Sequence, residues 1–192
     1  MRIISGTHKS RVITAPKNLP VRPTTDLSKE ALFNILNNQF HFSEIKVLDL
    51  FSGTGNISYE FASRGCKNIK AVDAHYGCVQ FIKKTAEGFD FPIDAIKSDV
   101  FQYLESRNQT FDFIFADPPY DLGQVPFEKI VALVFEHQRL TADGLLVIEH
   151  AKQTSLAHLE HFSYQKNYGS SVFSFFEIEN DEVENEEKNA DL

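Results

Sequence analysis

No apolar run in this 192-residue chain is long enough to span a bilayer, and Met1-Arg2-Ile3-Ile4 moves straight into polar residues rather than into a signal-peptide core. A cytoplasmic protein with no membrane association is expected. Cysteine is scarce too. Cys66 and Cys78 form no C-x-x-C and have no histidine cluster beside them, which argues against a disulfide framework and a zinc site and for two buried, reduced thiols. There is no H-E-x-x-H, no phosphate-loop G-K-S/T and no G-x-S-x-G. His158 and His161 stand three apart without a third ligand at metal-site spacing. Metal hydrolysis, nucleotide hydrolysis and serine chemistry are therefore unsupported, and no metal is expected. Internal repeats are missing, and the length suits one domain with a substantial core.

Positive charge is also in short supply, with a net charge of −8 and a pI of about 5.3. Its distribution matters more than its sum. From Glu177 onward eight acids face Lys188 alone, which accounts for seven of the eight net negative charges. Residues 1–29 carry Arg2, Lys9, Arg11, Lys17, Arg22 and Lys29 against Asp26. A basic head on a nearly neutral body suits contact with phosphate, and an acidic tail would be held away from it. Solvated surface charge is the plainer reading of the same pattern.

What the chain does have is the run Phe111-Asp112-Phe113-Ile114-Phe115-Ala116-Asp117-Pro118-Pro119-Tyr120. Its apolar half reads as a strand buried on both faces. Two prolines cannot extend a central strand, since each lacks the N–H that a ladder needs, and they push Asp117 into an extended conformation. The result is a stiff corner holding a carboxylate, a proline carbonyl and an aromatic ring where ligands bind in open α/β sheets. Such a corner suits a planar exocyclic amine. Asp117 Oδ and the Pro118 carbonyl would accept its N–H groups and steer the nitrogen towards an attacking geometry, while Tyr120 stacks on the base, a contact worth roughly 1–3 kcal/mol. A rigid turn with Tyr120 as packing is the bland alternative.

Taken in order, Arg2–Gly6 and Ser10–Thr14 suggest a small β-hairpin. Arg22-Pro23-Thr24-Thr25-Asp26 is a rigid turn with Asp26 as a helix N-cap, and Leu27, Ala31, Leu32, Ile35 and Leu36 mark an apolar helix face. Val47–Phe51 is a strand, followed by Ser52-Gly53-Thr54-Gly55-Asn56 and a helix from Ile57 to Arg64. A glycine-rich turn there brings backbone close to a cofactor and presents N–H groups at a helix start. Ile69–Asp73 is a second strand ending in an acid. It falls at the βαβ spacing from Asp49 at which an acid meets a ribose hydroxyl pair. Ser58 stands where a third glycine would complete G-x-G-x-x-G, which disfavours a dinucleotide and suits a cofactor without a pyrophosphate, such as S-adenosylmethionine.

Val79, Ile82, Ala86 and Phe89 outline another helix, and Asp94–Asp99 a short third strand. Asp99 with Val100 either contacts an adenine ring or caps a helix over Val100–Glu105. Phe127, Ile130, Val131, Val134 and Phe135 form an amphipathic helix, Gly144–Glu149 a fifth strand, and Tyr164–Tyr168 with Ser171–Ile178 a closing antiparallel hairpin. The alternation predicts a doubly wound α/β sheet. Three stretches are expected: 1–26 as a basic hairpin and turn, 27–179 as the main domain, and 180–192 as an acidic disordered tail.

Asp49-Leu50-Phe51-Ser52-Gly53-Thr54-Gly55, Asp73 and Asp117-Pro118-Pro119-Tyr120 together resemble the motifs of class I amino-methyltransferases. Met1–Gly6, Val21–Asp26 and Glu30-Ala31-Leu32-Phe33-Asn34 narrow the resemblance to the RsmD family, over residues 1 to about 179. It implies a single seven-stranded, mostly parallel sheet whose last strand is antiparallel, with an N-terminal hairpin extension. The activity implied is methyl transfer from S-adenosylmethionine to the N2 amine of one guanine of 16S rRNA (guanine-966) during small-subunit assembly. Carried over by position, the resemblance puts Asp49, Phe51, Ser52, Gly53, Thr54 and Gly55 around the methionine part of the cofactor. Asp73 and Ala74 fall at the ribose, and Asp99 and Val100 at the adenine. Asp117, Pro118, Pro119 and Tyr120 form the catalytic corner. Arg2, Lys9, Arg11, Arg22, Pro23 and Thr24 lie towards the RNA. Ser5 replaces a glycine frequent in the family, Leu27 a basic residue and Lys29 an arginine, changes that bear on RNA contact more than on catalysis.

Rival readings share parts of this pattern. An amino-methyltransferase acting on DNA adenine N6 or on a protein glutamine would use the same corner, although DNA enzymes usually carry a further recognition region. A silent module that binds S-adenosylmethionine or RNA would show a broken corner. A nicotinamide dehydrogenase is disfavoured by Ser58. A monomer is the default oligomeric state.

Overall fold

Phe111–Ala116 forms a central strand buried on both faces, with Phe113 and Phe115 facing one apolar layer and Ile114 and Ala116 the other. The computed structural model describes residues 1–19, 25–119 and 122–179. In chain order the elements are α1 (Asp26–Leu36), β1 (Lys46–Leu50), α2 (Asn56–Ser63), β2 (Asn68–Asp73), α3 (Tyr76–Phe89), β3 (Ile93–Lys97), α4 (Val100–Ser106), β4 (Phe111–Ala116), α5 (Gln124–Glu136), β5 (Leu140–Ala151), β6 (Phe162–Tyr168) and β7 (Ser171–Glu177). They build one seven-stranded sheet in the order β3-β2-β1-β4-β5-β7-β6. The first five strands run parallel, and β7 is antiparallel to both β5 and β6. This is the doubly wound α/β sheet of a class I methyltransferase.

Helices α1, α2 and α3 bury Leu32, Phe33, Tyr59, Phe61 and Ile82 against one face, and α4 and α5 bury Leu104, Phe127 and Ile130 against the other. Phenylalanine is the commonest buried residue of the first layer and leucine that of the second, which also buries Phe111, Phe127 and Phe176. Each ring fully removed from water stabilises the fold by roughly 1.5–3 kcal/mol. Winding outward from β1 in one direction and from β4 in the other leaves a switch point between these two strands. There the following connections diverge and open a crevice.

Helix α1 departs from expectation in cap and phase. Thr25, not Asp26, is the N-cap, its hydroxyl accepting from Ser28 N at 3.1 Å, and Asp26 is the first helical residue. Leu27 is 69 % exposed, whereas Ser28, Lys29, Leu32, Phe33 and Leu36 are buried. The inward stripe is thus displaced from the apolar positions because a buried carboxylate, described below, draws Lys29 inside. Strand β5 starts at Leu140 rather than at Gly144, with a register shift against β4 between Phe111 and Phe113. The short strand read as Asp94–Asp99 spans Ile93–Lys97.

At the N-terminus Arg2 and Val12 make a single antiparallel bridge, extended by Ile3 N to Arg11 O and Ile13 N to Met1 O, both 2.9 Å. Ile3 and Ile13 enter the same apolar layer as α1 and α2, so this segment is fastened to the sheet's own core. Residues 180–192, read as an acidic tail, lie outside the described residues.

Candidate active site at the switch point

The end of β1 carries the glycine-rich loop. Phe51, Gly53 and Gly55 all have positive φ, at 54°, 52° and 83°. Glycine meets that demand without strain, while Phe51 is held in a conformation non-glycine residues seldom adopt. At Gly55 a Cβ would also lie 2.8 Å from the Tyr59 ring, so both backbone and packing require glycine. Below the loop Asp49 is buried, and its Oδ2 accepts from Ser58 N at 3.2 Å and Ser58 Oγ at 2.5 Å. Burial pushes the Asp49 carboxyl up to about 7, with the Ser58 hydrogen bonds pulling the other way and the nearby Asp73 charge adding to the rise. Ser58, which breaks the dinucleotide glycine pattern, thus has a definite job in tying α2 to β1.

Asp73, at the end of β2, accepts from Gly53 N at 2.8 Å through Oδ2 and from His75 N at 2.7 Å through Oδ1. Its carboxylate is therefore fixed between the glycine loop and the turn that opens α3, with the exposed Ala74 beside it. Asp99 caps α4, its Oδ1 accepting from Gln102 N at 3.0 Å, and it stays solvent-exposed. The cap is present, and the carboxylate's exposure leaves contact with a ligand open. Val100 turns its side chain into the apolar layer, which leaves only its backbone to face a ligand. Phe51 packs edge-on against Phe101 with centroids 6.3 Å apart, an aromatic shelf between the loop and α4. The Ser52 hydroxyl is buried and has no hydrogen-bond partner among the described residues.

The rigid corner meets this loop directly. Asp117 N points to Leu50 O at 3.4 Å, and the β1–β4 register pairs Leu50 with Ala116, so both chains leave the sheet at the same level. Asp117 is half-buried, Pro118 buried and Pro119 exposed, and the Pro119 carbonyl accepts from Leu122 N at 3.1 Å. Tyr120, read as the stacking ring, lies outside the described residues, as do Arg22, Pro23 and Thr24 of the RNA-facing turn.

The basic head is only partly what its sequence suggests. Arg2, Lys9 and Arg11 are exposed, and Arg2 pairs with Asp26 at 3.4 Å. The segment runs along α2. Met1 Sδ lies 4.0 Å from Thr54 Oγ1 of the glycine loop, while Thr7 N and His8 N bond to Ser63 at the helix's other end. An eight-residue helix is about 12 Å long, so Lys9, beside that far turn, sits well away from the loop.

Lys29, counted by its sequence among the head's exposed charges, is 1 % exposed and takes no part in a basic surface. Its Nζ donates to Arg2 O at 2.6 Å and Asn56 Oδ1 at 2.8 Å and lies 3.5 Å from Glu60 Oε2. Burial pulls its pKa down, and the Glu60 carboxylate pushes back. Glu60 also accepts from Ile4 N at 2.8 Å, Ser5 N at 3.0 Å and Arg64 Nε at 2.9 Å. This hub joins residues 2–5, α1 and α2 immediately behind the glycine loop. Nothing in the sequence singled out Glu60, because a lone acid in a helix reads as a solvated one.

Elsewhere the thiols of Cys66 and Cys78 are buried, and burial raises both to about 11. No described group of three or more His, Cys, Asp or Glu side chains could hold a metal ion, and no described helix is long and apolar enough to cross a membrane.

A glycine loop with a buried hydroxyl that has no partner among the described residues, an acid at the next strand end and an Asp-Pro-Pro corner at the switch point define an S-adenosylmethionine-dependent class I methyltransferase. Known proteins agree and narrow the class. The family described as Conserved hypothetical protein 95 matches residues 1–177, and the chain belongs to that family, whose members are of the RsmD type. Ribosomal RNA small subunit methyltransferase D of Haemophilus influenzae is 28% identical over 180 residues, with 91% of each chain covered. Among solved structures, the hypothetical protein TTHA0928 of Thermus thermophilus superposes with a TM-score of 0.81 at 22% identity, covering 93% of this chain and 99% of that one. The T. thermophilus 16S rRNA N2 G1207 methyltransferase RsmC, in complex with AdoMet and guanosine, gives a TM-score of 0.65 at 20% identity, covering 83% of this chain and 45% of that one.

Proposed function

We propose that this protein methylates the exocyclic N2 amine of a guanine in 16S rRNA, within an assembling small ribosomal subunit in the cytoplasm. The observation that carries the reading is the direct abutment of the Asp117 corner on the glycine loop, with Asp117 N 3.4 Å from Leu50 O. Cofactor loop and amine acceptor thereby become one rigid unit. The activities named for the family's curated relatives point to ribosomal RNA.

S-adenosylmethionine supplies, when bound, a methyl group on an already activated sulfonium. The protein's task is then proximity and alignment, effects that together contribute roughly 7–11 kcal/mol in well-oriented systems. The loop Asp49–Gly55 cradles the methionine end, and Ser52 Oγ offers it a hydrogen bond. Asp73 and Ala74 face the ribose, and Asp99 with the Val100 backbone the adenine. Asp117 Oδ and the Pro118 carbonyl accept the two N–H groups of the target amine, which directs the nitrogen lone pair towards the methyl. A carboxylate is a weak base towards a neutral amine, so Asp117 acts first as an acceptor, and the proton leaves once methylation has made the nitrogen cationic. Pro119 and Tyr120 shape the base's resting place. The guanine reaches the corner only after leaving its stack. Arg2, Arg11 and the Arg22-Pro23-Thr24 turn, with Lys9 further out, meet the RNA backbone.

Replacing Asp117 with Ala tests this assignment. Transfer to small-subunit particles should fall by at least about a hundredfold, as for removal of a group that positions a reactant, while calorimetry shows S-adenosylmethionine binding within a factor of about three. Full transfer by the variant would sink the role given to the corner.

A further inference from the structure

On the face covered by α5 the sheet is apolar until it reaches the edge that carries the catalytic corner. Ile148, Phe176 and Phe162 then give way to His150, Ser174, Gln165 and Asn167 on the same face, as the β5–β7 and β6–β7 registers require. This polar break surrounds a cleft of about 330 Å³, floored by His150 and Val172 and walled by Lys152 and Ser155 of the β5–β6 connection and by the two β6 amides. The volume lies at the lower end of small-ligand sites.

The floor is fixed. His150 is 1 % exposed, its Nε2 lies 2.7 Å from Ser174 Oγ and its Nδ1 3.0 Å from Ala151 O. The walls are free to bind. Gln165, Asn167 and Lys152 are exposed, and no described residue hydrogen-bonds or ion-pairs with their side chains. The cleft is also tied to the catalytic loop. Gln124, the first residue of α5 after the Asp-Pro-Pro corner, donates through Nε2 to Ser155 O at 2.6 Å, and its Oε1 accepts from Ser155 N at 3.4 Å. The β4–β5 ladder ends with Ala116 paired to Ile148, and His150 lies two residues further along β5, at the same edge of the sheet as the corner. The cleft and the corner therefore share the carboxyl edge of the parallel strands.

We infer that this cleft is a nucleotide subsite that reads a base flanking the target guanine, an inference that rests on the RNA substrate proposed above. Gln165 and Asn167 each present a donor and an acceptor, the groups that discriminate base edges, and Lys152 meets the adjoining phosphate. The target is then chosen partly by its neighbour, through a pocket mechanically linked to the loop that holds the guanine.

The test compares wild type, Gln165→Ala/Asn167→Ala and Lys152→Ala on naked 16S RNA fragments and on small-subunit particles. Each substrate is prepared with the natural flanking nucleotides and with substituted ones. The amide variant should raise KM for RNA about tenfold, the size of a lost amide-to-base contact, leave KM for S-adenosylmethionine unchanged, and methylate natural and substituted RNAs at converging rates. Lys152→Ala should raise KM equally for all sequences and weaken its salt dependence. Unchanged KM and unchanged sequence preference in an active amide variant overturn the subsite alone. An effect confined to particles and absent on naked RNA overturns it in favour of a ribosomal-protein contact. Failure of wild type to methylate any RNA overturns the substrate reading together with the subsite.

Discussion

Asp49 sits at 2 % exposure with its carboxyl at about 7, against an ordinary value of 3.8, because burial disfavours the charged form more than Ser58 supports it. Between these values the folded protein holds a proton that the unfolded chain has released. Stability is therefore greatest below the unfolded value and is lost as pH rises through the folded one. Asp49→Asn removes the titration. The melting temperature of the variant should lose the wild type's decline between pH 4 and pH 7, and an identical decline in both proteins would contradict the account. Glu60 is the second test at this scale. Its removal strands Lys29, 1 % exposed, and the amides of Ile4 and Ser5. Glu60→Ala should cost about 3–5 kcal/mol in urea unfolding, as for breaking a buried ion pair, and a loss under about 1 kcal/mol would show the hub to be dispensable. Residues with a local signature, such as the glycines of the loop and the prolines of the corner, could be placed from the sequence. Lys29 and Glu60 could not. They lie 31 positions apart in the chain, and either alone reads as a surface charge.

The N-terminal segment depends on Gly6. It has φ +84°, and a Cβ there would lie 1.8 Å from the Ser63 carbonyl oxygen. Gly6→Ala must displace the turn from α2 and should destabilise the fold by about 1–3 kcal/mol. Tryptic cleavage after Arg11 should speed up with it, and wild-type stability with unchanged cleavage would contradict the close approach. Helix α1 shows where periodicity misleads. Leu27 and Ala31 invited an apolar stripe, yet the helix turns Ser28 and Lys29 inward to reach Thr25 and Glu60. Strands were more legible than this helix, because runs such as Phe111–Ala116 are apolar on both faces and need no phase. The early start of β5 was hidden because Thr141, Ala142 and Asp143 are polar or small and enter through a register shift.

At the scale of the whole molecule, the strand order β3-β2-β1-β4-β5-β7-β6 places two distant sequence motifs at one point. Alternation of strand and helix signals foretold the winding, and the closing hairpin foretold the antiparallel edge. That the Asp49–Gly55 loop and the Asp117 corner face a common crevice follows from the switch between β1 and β4, which only the assembled sheet displays. The nearly neutral body and the partly dispersed basic head suggest that assembled particles are better substrates than naked RNA, a preference that equal rates on both would refute. The central claim is the chemistry performed in the crevice. The most direct measurement is transfer of labelled methyl from S-adenosylmethionine to unmodified small-subunit particles, followed by nucleoside analysis of the 16S RNA. The account predicts labelled N2-methylguanosine at a single site, and label recovered only in DNA or protein would contradict it.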